Sequence, residues 1–303
     1  MSKILLVDCN AVGYMAMHTM GGLFYKEYKT GVIYGFLKAV LALADQFSTN
    51  RFVFCWDSRR RYRQLVYPDY KTKRDLSKDD DLVFKRKIAH EQFQMLREDV
   101  LPSMGFKNVL YLSGYESDDL MAYYAQQHSK QIKTNSKVIM VTGDNDMFQC
   151  LDHCDIYHLY WKKIVTAKDF EIKFGIPVSD WVLAKCIGGC SSDGVPGIVG
   201  VSDPAKAASS KALVYLQGNL NPGAILDRID CEEGKKIIRR NRKLIKLPYT
   251  GPIPGKRRKL QDIKLSFANS EKFDRKDFLN VFDKYRFLSF IKSFNKWKEV
   301  FLA

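Results

Sequence analysis

The chain has 303 residues, long enough to bury a full hydrophobic core, and this length predicts two domains. Lys and Arg number 49 against 34 Asp and Glu, and the resulting net charge of +15 favours a polyanionic partner, most commonly nucleic acid. No apolar stretch reaches membrane-spanning length, no signal-peptide pattern is present, and the seven cysteines are scattered, so we expect a cytoplasmic protein without a membrane partner.

Short apolar runs that predict strands alternate along the chain with helical patterns. The strand-like runs cover residues 3–7, 51–56, 108–112, 137–142 and 154–159, and the helical patterns cover about 31–47, 82–103 and 117–131. This order predicts an α/β fold with a mostly parallel central sheet that is flanked by helices on both faces. The segment between Tyr70 and Leu82 has little apolar content, so we expect it to be exposed, and mobile until a partner binds.

Several of the predicted strands end in an aspartate. "KILLVDCN" places Asp8 at the end of one run, "RFVFCWDS" places Asp57 at the end of another, and "KVIMVTGDND" places Asp144 and Asp146 after a third. Helix capping explains one such aspartate but is a poor explanation for three. Because ligands bind beyond the carboxyl ends of strands in open α/β sheets, we expect these side chains at one rim.

A fourth segment, "GYESDDLMAYYA", adds Glu116, Asp118 and Asp119 just ahead of a helical pattern. One acid would suffice to complement a helix N-terminus. Seven carboxylates at one rim would raise one another's pKa and destabilise the fold unless a cation neutralised them. Oxygen ligands without a histidine partner predict Mg²⁺ or Mn²⁺ rather than zinc. A zinc site at Cys150 and Cys154, or at Cys186 and Cys190, is less favoured than buried free thiols.

Basic residues are concentrated beside Asp57. The stretch "DSRRRYRQLVYPDYKTKRD", residues 57–75, carries seven Arg and Lys interleaved with tyrosines. Such residues neutralise phosphates, while tyrosine rings offer a stacking surface to bases. Residues 235–246 and 255–260 form two further basic tracts, and for residues 235–246 a solvated helix surface is an equally good explanation.

A glycine-rich segment opens the second part of the chain. In "VSDWVLAKCIGGCSSDGVPGIVGVSDPAKAASSKAL" helical periodicity gives way to five glycines between residues 188 and 200, and it resumes near Lys206. A turn of this kind between two helices exposes backbone groups to a phosphate backbone or a monovalent cation.

Taken together, these segments resemble the 5′-nuclease family of flap endonucleases and 5′-to-3′ exonucleases, as found in bacteriophages and in the N-terminal domain of bacterial DNA polymerase I. The similar segments, in the family's order, are "LLVDCNAVGY", "WDSRRRYRQLVYPDYKTKR", "GYESDDLMAY", "VTGDNDMFQCL" and "SSDGVPGIVGV", and "DFLNVFDKYRFLSFI" is similar to its closing helix. The resemblance implies a PIN-like nuclease core over residues 1–175 with a helical arch at about 70–103. Residues 176–303 would form a helix-three-turn-helix DNA-binding region and C-terminal helices.

The same resemblance implies a role for individual residues. The first divalent metal would be surrounded by Asp8, Asp57, Glu116, Asp118 and Asp144. The second would lie near Asp119, Asp146 and Asp193. Lys71 and Arg74 would contact the scissile phosphate, Tyr70 would stack on a terminal base, and Arg63 would bind DNA. The hairpin of residues 188–202 would hold the duplex backbone and take K⁺ on its carbonyls, with contacts to DNA from Gly197, Gly200 and Lys206.

The activity implied is hydrolysis of DNA at 5′ ends or flaps by a metal-activated water, in replication or repair. A monomer in the cytoplasm of a bacterium or a phage-infected host is expected, and action on an RNA–DNA hybrid is left open. One departure is that Cys190 stands where the family has a second-metal aspartate, while Ser202 replaces a usual glycine and one extra residue precedes Lys206. We therefore expect a weakened or water-filled second site with a higher metal requirement, and a softer ligand favours Mn²⁺ over Mg²⁺.

Two other classes of protein fit part of the pattern. One is a DNA-binding relative with weak or lost nuclease activity, and the retained carboxylates disfavour it. The other is an acid-cluster phosphatase acting on small phosphoesters, which would need neither the basic tyrosine-rich tract nor the glycine-rich hairpin.

Overall fold

The computed structural model of the chain describes residues 2–25, 28–58, 61–72, 80–131, 136–207, 209–263 and 272–302. Arg74 and most of the segment that was expected to be mobile lie outside the described residues. The exposure expected between Tyr70 and Leu82 is found at Asp80 and Asp81, whereas Tyr70 and Lys71 are buried. No helix in the described ranges combines the length and the apolar character needed to cross a bilayer.

A central sheet of six strands forms the core of the fold. Its strands are β1 (Ser2–Asp8), β4 (Phe52–Trp56), β5 (Val109–Tyr111), β6 (Ser136–Thr142), β7 (Asp155–His158) and β8 (Lys163–Val165). Their spatial order is β5-β4-β1-β6-β7-β8; the first five are parallel and β8 runs antiparallel at the edge. The prediction of a mostly parallel sheet is confirmed. Strands β2 (Phe24–Tyr25) and β3 (Tyr28–Lys29) form a separate small hairpin.

Thirteen α-helices lie within the described residues. In chain order they are α1 (Cys9–Met20), α2 (Gly31–Phe47), α3 (Asp80–Met95), α4 (Leu101–Ser103), α5 (Ser117–Ser129), α6 (Ala167–Phe174), α7 (Trp181–Gly188), α8 (Lys211–Leu216), α9 (Ala224–Asp230), α10 (Glu232–Ile245), α11 (Arg275–Lys284), α12 (Leu288–Lys292) and α13 (Phe294–Phe301). Shorter 3₁₀ turns include Asn145–Cys150 and Ser191–Asp193.

The sheet is covered on both faces because alternate residues of its strands point in opposite directions. On one face Leu5 and Val7 contribute to a cluster that includes α1, α2 and the aromatic side chains of α11 and α13. On the other face Ile4 and Leu6 belong to a cluster with α5 and Trp181 of α7. Continuous burial on both faces explains why these strands are apolar without alternation.

Helix α3 has an exposed first half and a buried second half. Val83 and Phe84 are 47% and 54% exposed, whereas Phe93 is buried beneath α1. Gln92 fixes the buried half, because its Oε1 accepts hydrogen bonds from the Val32 and Ile33 backbone N–H groups at the start of α2, at 3.0 and 3.1 Å. A π turn, Leu96–Val100, joins α3 to α4, so the helix predicted at 82–103 is present.

The glycine-rich segment makes a tight hairpin after α7. Strands β9 (Gly189–Cys190) and β10 (Val195–Pro196) pair antiparallel around the turn at Ser191–Asp193. Gly189 has a φ of +80°, and a Cβ on Gly197 would lie 2.3 Å from the carbonyl carbon of Gly188. Only glycine allows the two arms of the hairpin to approach this closely.

Candidate metal and DNA site

Four carboxylates from separate segments meet at the carboxyl edge of the sheet. Asp8 ends β1, Asp57 follows β4, Asp118 lies in the first turn of α5, and Asp144 follows β6. All four line one open cavity of about 430 Å³. The sequence-based expectation that strand-end aspartates converge is therefore met.

Hydrogen bonds from the backbone and from neighbouring polar groups fix three of these side chains, those of Asp8, Asp57 and Asp144. Asp8 caps α1 through the Ala11 N–H at 3.1 Å and accepts a hydrogen bond from the Thr142 hydroxyl at 3.0 Å. Asp57 Oδ1 accepts from the Ser117 N–H at 2.7 Å, and Asp144 Oδ1 accepts from the Asp146 N–H at 2.8 Å. Each contact holds one carboxylate in a defined orientation at the rim of the cavity.

Within the ranges that the structure covers, no Lys or Arg nitrogen lies within 4.0 Å of these four carboxylates, although Lys71 acts on Asp118 and Asp144 from a longer distance. Burial, followed by the charge of Asp57, raises the pKa of Asp8 to about 6. Burial and the neighbouring Asp146 raise the pKa of Asp144 to about 7. Burial and Asp144 also raise the pKa of Asp118. A crowded set of hard oxygen donors with this excess of negative charge fits a divalent cation.

Glu116 and Asp119 have a different environment, because basic side chains already neutralise them. Lys71 Nζ lies 2.7 Å from Glu116 Oε1, and Arg63 binds both oxygens of Asp119 at 2.7 and 2.8 Å. Burial opposes ionisation of Glu116, but Lys71 and then Arg63 outweigh it and lower its pKa to about 2. These two acids therefore belong to a buried ion-pair network, in which Lys71 pairs with Glu116, one of the residues expected to surround the first metal.

Three residues of this network occupy positions that differ from the sequence-based expectation. Asp119 is fully buried and also accepts the Tyr249 N–H at 2.7 Å, so its oxygens face the interior instead of the second metal position. Arg63, expected to bind DNA, is 3% exposed and also donates to the Leu244 carbonyl at 2.7 Å. Tyr70, expected to stack on a base, is 3% exposed and donates to Glu116 at 2.8 Å. A buried guanidinium requires carboxylate partners, and these acids supply them.

A second group of possible ligands lies next to the four rim carboxylates. One ligand atom from each of Asp146, Cys190 and Asp193 lies within 4.8 Å of the other two. Each is already engaged: the Cys190 thiol lies 3.2 Å from Asp146 Oδ2, and Asp193 Oδ2 accepts from the Tyr70 hydroxyl at 3.0 Å. Burial, followed by Asp146, raises the pKa of the Cys190 thiol.

Two residues that sequence reasoning missed complete this second group. Lys185 Nζ lies 2.9 Å from Asp146 Oδ1 and 2.8 Å from Asp203 Oδ1. Lys185 is four residues after Trp181, so it lies on the same buried face of α7. A lysine on the apolar face of a predicted helix is the sequence feature that could have identified it. Asp203 lies in the region of the extra residue before Lys206, but no motif marked it.

The hairpin of residues 188–202 lies against basic helices. Arg240 of α10 donates to the Pro196 carbonyl at 2.8 Å, and Arg228 of α9 donates to the Val199 carbonyl at 3.3 Å. Gly200 has a φ of +87°, and Lys206 lines the rim cavity. Exposed Lys235 and Lys236 pair with acids of the first turn of α10, as expected for a solvated helix surface.

Comparison with known proteins agrees with the motifs and the fold. The model of the family described as "5'-3' exonuclease, N-terminal resolvase-like domain" matches residues 3–175, more than half of the chain. The chain belongs to this 5′-3′ exonuclease family. The resemblance seen in the sequence is therefore confirmed.

Two relatives of known name match different shares of this chain and of their own length. DNA polymerase I of Mycobacterium tuberculosis is 28% identical over 242 residues, which are 77% of this chain and 25% of that protein. A 5'-3' exonuclease of Buchnera aphidicola is 26% identical over 202 residues, 64% of this chain and 65% of that protein. The chain thus spans about a quarter of the length of the DNA polymerase I relatives.

Solved structures show the same fold. The D15 protein of bacteriophage T5, co-crystallised with metal ions, has a TM-score of 0.64 at 17% identity and covers 81% of this chain and 90% of its own. The T5 D15 flap endonuclease in a pseudo-enzyme-product complex with DNA and metal ions has a TM-score of 0.65 at 17% identity, covering 81% of this chain and 89% of its own. At 17% identity this comparison shows the fold of the chain and nothing further.

Proposed function

We propose that the chain is a structure-specific 5′-nuclease that hydrolyses DNA phosphodiester bonds at 5′ ends and flaps in replication or repair. The observation that carries this proposal is the group of four rim carboxylates, which form no ion pair within 4.0 Å among the described residues and open onto a cavity that Lys71 and Lys206 also line. Relatives named 5'-3' exonuclease and flap endonuclease support DNA as the substrate class.

Asp8, Asp57, Asp118 and Asp144 would hold one divalent ion, Mg²⁺ or Mn²⁺. Such an ion, when bound, supplies activated water for attack on the phosphodiester. Lys71 would neutralise charge on the phosphate, and its position is fixed by the Glu116 carboxylate and by its backbone N–H, which donates to the Asp193 carbonyl at 2.8 Å. Arg74 is proposed for the same role, in the part of the chain outside the described residues.

A second cavity, of about 560 Å³, provides a path for the 5′ strand. It lies between α1 and α3 and shares Asn10, Tyr14 and Asp57 with the rim cavity. Arg61, Arg86 and Arg97 line it, and Tyr14 and His90 add ring surfaces. Arginines suit the phosphates of a single strand and the rings suit its bases, so we propose that the displaced strand lies here.

The hairpin of residues 188–202, with Gly197, Gly200 and the nearby Lys206, is proposed to hold the duplex backbone. K⁺ on its carbonyls, a monomeric state and action on RNA–DNA hybrids stay predictions. Arg63 and Tyr70 are buried in this structure, so we assign the single-strand contacts to the lining of the second cavity instead.

The test is size-resolved cleavage of a labelled 5′-flap duplex in Mg²⁺ and in chelator. We expect a metal-dependent product cut near the junction. Asp118→Asn should abolish cleavage with little effect on folding, because the Asp118 side chain makes no hydrogen bond within the described part of the chain. Asp45→Asn, on the exposed surface of α2, is the matched control and should cleave at the wild-type rate.

Two results would count against the proposal. Cleavage that persists in chelator, or that survives Asp118→Asn unchanged, would show that the rim carboxylates do not carry the reaction. Intact flap substrate that is nonetheless bound would identify the chain as a DNA-binding relative without nuclease activity.

A further inference from the structure

We propose that the Lys185 ammonium, held by Asp146 and Asp203, fills the position where the 5′-nuclease family has its second divalent ion. The chain would then bind a single divalent ion, at the four rim carboxylates. This inference rests on the proposed nuclease function, and it concerns the number of metal ions that the site takes.

Lys185 is held as an internal cation. Its side chain is buried, and its Nζ contacts Asp146 Oδ1 at 2.9 Å and Asp203 Oδ1 at 2.8 Å. Burial opposes the charge of Lys185, but Asp146 and Asp203 outweigh burial and raise its pKa. Lys185 also lines the rim cavity, which places this positive charge within the site.

Asp203 is fixed in place independently of Lys185. The Ser191 N–H and hydroxyl donate to its Oδ2 at 3.1 and 3.2 Å, and the Ala205 N–H donates to its Oδ1 at 3.0 Å. The loop therefore presents a preformed carboxylate to the lysine. Asp203 belongs to the stretch, between Ser202 and Lys206, in which this chain departs from the family motif.

The remaining donors do not fit a hard divalent ion. Asp146 has both oxygens engaged, one by Lys185 and the other by the Cys190 thiol at 3.2 Å. Sulfur is a soft donor and a poor ligand for Mg²⁺. Asp193 Oδ2 accepts from the Tyr70 hydroxyl at 3.0 Å and lies 3.7 Å from Lys71 Nζ. Replacement of an aspartate by Cys190 removes one negative charge, and Lys185 neutralises one of those that remain.

Counting bound Mn²⁺ by electron paramagnetic resonance tests the inference without requiring activity. We expect one Mn²⁺ per wild-type chain, and one for Cys190→Ser, the matched control that keeps position 190 neutral. The double variant Cys190→Asp with Lys185→Met restores the missing acid and removes the internal cation, so it should bind two. Thermal melting in chelator checks that each variant is folded.

Two Mn²⁺ ions of comparable affinity on the wild-type chain would overturn the inference, and this result does not depend on whether the double variant folds. A folded double variant that still binds one ion would overturn it as well. Flap cleavage separates the inference from the proposed function. Cleavage that rises with the first power of Mg²⁺ concentration supports both, and one bound Mn²⁺ without any cleavage refutes the nuclease proposal alone.

Discussion

Replacing Arg63 should lower the stability of the fold, because Arg63 is part of the protein interior and not of the DNA-binding surface. Arg63 is 3% exposed and makes two bonds to Asp119, one to Glu116 at 3.2 Å and one to the Leu244 carbonyl. Arg63→Met would leave the fully buried Asp119 carboxylate without its positive partner. Breaking a buried ion pair in this way costs about 3–5 kcal/mol. At roughly 2 °C per kcal/mol for a chain of this size, the melting temperature should fall by about 6–10 °C.

Differential scanning calorimetry in chelator measures this change without a contribution from metal. Arg286→Met, which removes an exposed pair with Asp283, is the control and should cost less than about 1 kcal/mol. Adding Asp119→Asn to Arg63→Met should recover part of the loss, because asparagine removes the unpaired charge and can still accept the Tyr249 N–H. A stable Arg63→Met protein that binds DNA more weakly would refute the reasoning and restore the DNA-contact role expected from the sequence.

Three further predictions follow from the site and its supports. Asp144→Asn keeps the side-chain oxygen that accepts the Asp146 N–H, but it removes one of the charges that repel one another at the rim. Calorimetry should therefore show a higher melting temperature without metal, and Mg²⁺ should no longer raise it. Burial lowers the pKa of His158 from 6.5 to about 4, so on acidification the unfolded chain binds a proton at a higher pH than the folded chain does. The free energy of unfolding should therefore fall as pH drops from about 6.5 to 4. Urea midpoints should show a less steep fall in His158→Gln. Gly197→Ala puts a Cβ 2.3 Å from the Gly188 backbone and should weaken duplex binding in a mobility-shift assay, whereas Gly22→Ala meets no atom within 4 Å and should not.

The sheet could be predicted from the sequence because its signals are local. Runs such as residues 3–7 and 137–142 are apolar throughout, and the structure places strands at Ser2–Asp8 and Ser136–Thr142. The edge strand β8 was missed, since "KIV" is too short to distinguish from a turn. Helix α1 was missed because its sequence, "CNAVGYMAMHTM", lacks a clear apolar period of 3.6 residues.

The site was predictable only in part, because burial depends on contacts between distant segments. The convergence of Asp8, Asp57 and Asp144 follows from strand ends alone. In contrast, Arg63 and Asp119 are 56 residues apart, and no local pattern indicates that they pair in the interior. Lys185 and Asp203 are separated by a hairpin whose closure brings them together. From the sequence alone, a charged residue in a motif can therefore belong either to the metal and DNA site or to a buried ion pair.

The order of the strands has a consequence for synthesis of the chain. Strand β1 is made first but lies in the middle of the sheet, where it pairs with β4 on one side and with β6 on the other. Its second edge stays unpaired until residue 142 has left the ribosome. An apolar strand with a free edge is a template for association with other chains. We therefore expect ribosome-bound fragments that end before β6 to depend on chaperones, and longer fragments to become protease-resistant as β6 closes the sheet.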